Sequence, residues 1–199
     1  MLSESNIKRR QNVKMKVFEK GGPINTDDAC RIAVERAKLL QAPIVSATTE
    51  GDAGARLCEI AKEMGYQGKI VIVTHAFGSR EPGKNALKDE HRETMLNHGA
   101  KLVTAAHVLS GVERGISTKF QGAYPAEMIA HSLRMLCAGV KVVVEIGCMA
   151  LDAGAIEYGK EIVCMGGTGR GLDTAVIMTP AHANRIFETN IHEILCMPH

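Results

Sequence analysis

Two hydroxyls, a glycine and a run of small residues stand where this chain could hold an anion, in Thr48-Thr49-Glu50-Gly51-Asp52-Ala53-Gly54. Ile44 to Ala47 before it reads as a buried strand, and the residues from Asp52 onward read as the first turn of a helix. A helix start leaves backbone N–H groups without partners and carries partial positive charge, which suits a phosphate or carboxylate. The Thr48 and Thr49 hydroxyls, the close approach allowed by Gly51 and the N–H groups of Asp52, Ala53 and Gly54 would make the contacts. An ordinary βα turn capped by Asp52 explains the same residues, and Glu50 and Asp52 oppose an anion unless their side chains turn away.

Three further segments carry reactive or ligand-binding types. Thr74-His75-Ala76-Phe77-Gly78 follows an apolar strand. There Phe77 could pack on a flat ring and His75 could donate a hydrogen bond or move a proton, although a lone loop histidine is commonly structural. The stretch His107 to Gly115 contains Ser110, Gly111, Glu113 and Arg114. Arg114 could fork onto a phosphate or form a surface pair with Glu113. Ser110 has no base at a nucleophile-elbow spacing. Gly166-Gly167-Thr168-Gly169-Arg170-Gly171 resembles a dinucleotide fingerprint only superficially, because a strand and not a helix follows it. It is either a loop that wraps a ligand with Arg170 or a plain hairpin.

Elements alternating strand and helix must position these segments. Strands are expected at Val13–Phe18, Ile44–Ala47, Lys69–Thr74, Lys101–Thr104, Val140–Ile146, Glu161–Met165 and Thr174–Thr179, with an edge strand at Ile191–Cys196. Helices are expected after an Asn25 or Thr26 cap, from Asp52, from about Asn85 to His98, and from Pro125 to Cys137. This pattern is α/β, with parallel strands and helices on the faces. Residues 1–12 read as a solvated tail and 13–199 as one domain.

The composition narrows the function. Of 199 residues, 45% are hydrophobic and only 4% aromatic, so the core must be aliphatic. The charge of +2 forms no basic stripe, which disfavours nucleic acid as a partner. No run approaches the ~18–20 apolar residues of a membrane span, and no secretory leader is visible. The six cysteines have no C-x-x-C spacing, and the eight histidines do not join them in ligand spacing. Reduced thiols, a cytoplasmic location and no metal are expected.

The ordered motifs resemble a known family. They are Asn25-Thr26, Ala33–Lys38, Thr48–Asp52, Leu109–Ser117, Val144–Ile146 through Met149–Ile156, Gly166–Ala175, Pro180–His182 and Glu193–Pro198. Together they resemble the carboxy-terminal α/β domain of pyruvate kinase, and more closely the standalone proteins built on that domain, found mainly in archaea and some bacteria. The resemblance implies a three-layer αβα sandwich with a mixed, mostly parallel sheet and a pocket for flavin mononucleotide (FMN). It ties no reaction to the chain. Ala53 stands where the family favours a hydroxyl, and Glu50 where it often has tyrosine. One phosphate hydrogen bond is thereby lost, worth about 1.5–3 kcal/mol.

The expectation is a protein binding FMN or a related phosphate-bearing ligand, with a homo-oligomer open as its assembly. If it is an enzyme, His75 is the first candidate proton donor. Pyruvate kinase activity is not expected, because a (β/α)₈ barrel needs ~250 residues. The alternatives are a non-catalytic sensor of a sugar phosphate or nucleotide, and an oligomeric scaffold.

Overall fold

Seven strands form one sheet in the order β1-β7-β6-β5-β2-β3-β4. They are β1 (Lys16–Phe18), β2 (Ile44–Thr48), β3 (Ile70–Thr74), β4 (Lys101–Thr104), β5 (Ile162–Gly166), β6 (Thr174–Thr179) and β7 (Asn190–Pro198). The structure is a computed structural model that describes residues 14–199. The expected tail at 1–12, and Val13 of the expected first strand, lie outside the described residues. Strands β5, β2, β3 and β4 run parallel, as do β1 and β7, while β6 is antiparallel to both of its neighbours. The sheet is therefore mixed and mostly parallel.

Helices α1 (Thr26–Leu40), α2 (Asp52–Glu63) and α3 (Asp89–Asn97) belong to one layer. Helices α4 (Gly111–Phe120), α5 (Pro125–Arg134) and α6 (Ala138–Asp152) precede β5. One core joins α1 and α2 to the sheet through Ala29, Ala33, Ala37, Leu57 and Ile60 against Ile44, Ile72, Val163 and Ile177. The other joins α6 to the opposite face through Val143, Ile146 and Met149 against Val45, Val71, Cys164 and Val176. The result is the expected three-layer sandwich. Helix α4 has no buried residue and packs on α5.

Two expectations are corrected. Val140–Ile146 is not a strand but the middle of α6, buried from Gly139 to Leu151 apart from half-buried Val142. Only Lys141 and Glu145 interrupt the apolar run, so its sequence looks like that of a strand buried on both faces. Gly139 lets it lie close to the sheet, where a Cβ would stand 2.0 Å from Thr174 Oγ1. Ile191–Cys196 is not an edge strand, because β7 lies between β1 and β6 and the edges are β1 and β4.

This topology gathers one set of loops. The carboxyl ends of β2, β3, β4 and β5 share one sheet edge, where parallel α/β sheets bind ligands. The segments after Thr48, Thr74, Thr104 and Gly166 all emerge there, and α6 begins beside them.

Candidate functional site

A cavity of about 690 Å³ opens at that edge, within the 300–1,000 Å³ range of small-molecule sites. Of the residues singled out from the sequence, Thr48, Thr49, Asp52, Ala53, Thr74, His75, Ser110, Gly111, Arg114, Gly167, Gly169 and Arg170 line it. Gly51, Gly54, Phe77, Gly78, Gly166 and Thr168 do not. A second hollow of about 750 Å³ lies at the opposite edge, lined by residues such as Gln41, Lys69 and Lys160. It lacks histidine and a helix start, so the first cavity is the chemical candidate.

The β2–α2 loop has the geometry that anion binding needs. Gly51 caps α2 at φ 111°, and a Cβ there would stand 2.4 Å from His91 Cβ, so the turn requires glycine. The Gly54 N–H is taken by Thr48 Oγ1 at 3.3 Å. That leaves the Asp52 and Ala53 N–H groups as the open donors at this helix start among the described residues. Glu50 turns away from the cavity and pairs with Lys88 at 3.2 Å and Arg80 at 3.4 Å. The Lys88 hydrogen bond, then the Arg170 charge, holds its carboxyl below the usual range. Asp52 stays at the rim, 3.4 Å from Arg170 Nη2.

The glycine-rich segment is the β5–β6 hairpin loop, and it also borders the cavity. Fully buried Asp173 fixes it. One carboxylate oxygen accepts the N–H groups of Gly22 at 2.8 Å and Thr168 at 3.0 Å, and the other accepts the Thr174 hydroxyl at 2.8 Å. Thr26 Oγ1 accepts the Leu172 N–H at 3.1 Å. Thr168 thus serves the loop itself, while Arg170 projects over the entrance with its side chain 59% exposed.

The third segment supplies the far wall. Glu113 does not pair with Arg114. Its carboxylate accepts the Ala126 and Glu127 N–H groups at 3.1 and 2.9 Å, capping α5, while Arg114 meets Glu127 at 3.2 Å. Phe77 is 63% exposed, and the rings that face each other are His75 and His107, edge-on at 4.9 Å. The Ala76 N–H donates to His107 Nε2 at 3.3 Å, which places the proton of the neutral ring on Nδ1. Burial holds both imidazoles below the usual histidine range, and His107 adds to the effect on His75.

Sequence reasoning missed the α6 wall. Lys141 and Glu145, one turn apart, form an ion pair in the cavity lining, with side chains 8% and 7% exposed. The other Glu145 oxygen accepts the Leu109 N–H at 3.1 Å. Burial lowers the Lys141 pKa, and the Glu145 charge partly opposes this. Arg134 lines the same side. Four cationic side chains (Arg114, Arg134, Lys141 and Arg170) face the cavity against two carboxylates, so its field favours an anion. The i,i+4 spacing of Lys141 and Glu145 was the available signal.

The model for the pyruvate kinase, alpha/beta domain, matches residues 27–178. The chain belongs to this family. The match spans β2, α2, the glycine-rich hairpin and α6, and so contains every element that lines the cavity. Among the described residues no helix is long and apolar enough to cross a membrane.

Proposed function

We propose that this pyruvate kinase α/β domain binds FMN or a closely related phosphate-bearing ligand in the cavity at the sheet edge. The observation that carries the reading is the open pair of amides at Asp52 and Ala53, set beside the Thr48 and Thr49 hydroxyls under the Arg170 guanidinium. A dianionic phosphate matches that donor set. The lost hydroxyl at Ala53 leaves its amide in place, because N–H donation does not depend on the side chain.

The residues present fit FMN in size and charge. The cavity volume suits a ligand of that class, and cationic groups lie on both sides of it. His75 and His107, with Ser110 and Gly111, would border the ring and ribityl chain. FMN, when bound, supplies redox chemistry, and the protein supplies orientation and electrostatics. His75 lies where a proton could be given or taken, and its depressed pKa keeps it neutral near pH 7. Pyruvate kinase activity is no part of the proposal, because the described residues form one open sheet and no (β/α)₈ barrel.

A second reading is a non-catalytic sensor of a sugar phosphate or nucleotide. The position of Phe77 favours it, since the one aromatic side chain expected to stack on a flavin ring points outside the cavity. Titration with FMN, followed by flavin absorbance and by thermal unfolding, separates the two. Saturable flavin binding with a raised Tm supports the first. Stabilisation by a sugar phosphate alone supports the second, and a ligand at 100 times its Kd should add about 2.7 kcal/mol.

A further inference from the structure

We propose that Lys141, backed by Glu145 and faced by His107, forms a second subsite that takes the carboxylate of a small organic acid. This deepens the ligand-binding reading of the same cavity, because the acid would lie beside the phosphate-bearing ligand as its partner in any reaction.

The two anchors stand on different layers. The phosphate loop belongs to β2 and α2, whereas Lys141 sits on α6, which packs on the opposite face of the sheet. The cavity lies between them, so one small anion cannot occupy both. Lys141 carries three N–H donors, and a single partner, Glu145, is seen for it among the described residues. Glu145 accepts from Lys141 and from the Leu109 amide. Lys141 lines the cavity, so its remaining donors are available to a guest there.

An ion pair kept this dry is a poor way to gain stability. Apolar residues of similar volume often serve as well or better. The pair makes chemical sense where its cation is used by a guest. Glu145 keeps the ammonium oriented, and Arg134 adds positive charge on the same wall that offsets the Glu145 carboxylate. His107 contributes a neutral donor, because its Nε2 is occupied by the Ala76 N–H and its proton sits on Nδ1. A carboxylate between an ammonium and an imidazole N–H would receive two charge-assisted hydrogen bonds beside largely buried side chains.

The test is a calorimetric titration of the full chain with oxalate, with and without FMN, in the wild type and in Lys141→Met and Lys141→Arg. The wild type should bind oxalate, Lys141→Met should weaken it about tenfold or more, and Lys141→Arg should recover part of the loss. Far-UV circular dichroism checks that Lys141→Met remains folded. Oxalate binding that is unchanged in Lys141→Met, or absent from the wild type, overturns the subsite even where FMN binds. Lysine-dependent oxalate binding without any FMN binding keeps the subsite and removes the flavin reading. Mass-spectrometric mapping of reductive methylation in the wild-type chain needs no variant. Oxalate should slow labelling of Lys141 selectively, and an unchanged rate contradicts the proposal.

Discussion

Glu145→Gln should destabilise the fold far more than a surface substitution, because it strands the Lys141 ammonium in the cavity wall. Both side chains are more than nine-tenths buried. Removing one partner of such a pair costs about 3–5 kcal/mol, whereas replacing both can be neutral. The Gln amide oxygen can still accept the Leu109 N–H, so that hydrogen bond survives. Lys141 already has a lowered pKa and can shed its proton to limit the damage. These considerations put the loss near the lower end, about 3 kcal/mol, or about 6–12 °C in Tm for a chain of this size. Glu145→Ala should lose about 1–3 kcal/mol more, since the Leu109 amide is then orphaned. The double variant Lys141→Met/Glu145→Gln should recover most of the loss. Urea unfolding of the wild type, Glu145→Gln, Lys141→Met and the double variant gives the coupling energy directly. A Glu145→Gln protein within about 0.5 kcal/mol of wild type, or a double variant no better than the single, would refute the argument.

Three other outcomes follow from the same geometry. Asp173→Ala should cost about 3 kcal/mol, because the buried Gly22 and Thr174 donors and the part-buried Thr168 N–H lose their acceptor, and hydrogen exchange at Gly22 and Thr168 should accelerate. Stability should fall as pH drops below 6.5. In the window between that ordinary value and the depressed folded-state values of His75 and His107, the unfolded chain binds more protons, so acidification favours unfolding. Urea midpoints between about pH 7.5 and 5.5 should show the slope, and His107→Gln should reduce it. Of six cysteines, only partly exposed Cys137 should react quickly with a thiol reagent in the native state, and all six after unfolding. Burial pushes the Cys58, Cys148 and Cys196 thiols up to about 12, so these form little thiolate at neutral pH.

Local chemistry in the sequence was enough for the β2–α2 turn. The change from the buried run at Ile44 to the helical spacing after Asp52 appears in the structure as β2 and α2, with Gly51 at the turn. The α6 wall was not legible in the same way. Val140–Ile146 is apolar except for Lys141 and Glu145, and over so short a run periodicity is a poor guide between a buried strand and a buried helix. The length of the run argued for a helix, since Ala138 to Asp152 exceeds the usual strand. The error also concealed the site. On a strand, Lys141 and Glu145 would lie ~13 Å apart along the chain, while on a helix they meet. Helix α4 was missed although Val112, Ile116 and Phe120 recur at helical spacing, and none of its residues is buried. The interior place of β7 depends on pairing with β1 and β6, which no local pattern encodes.

The central claim is that the β2–α2 loop recognises a phosphate. The most direct measurement compares the affinities of the wild-type chain for FMN and for riboflavin, which differ only by that phosphate. The account predicts tighter binding of FMN by about tenfold to a hundredfold, the worth of one or two charge-assisted hydrogen bonds at a partly exposed site. Equal affinities, or no binding of FMN, would contradict it.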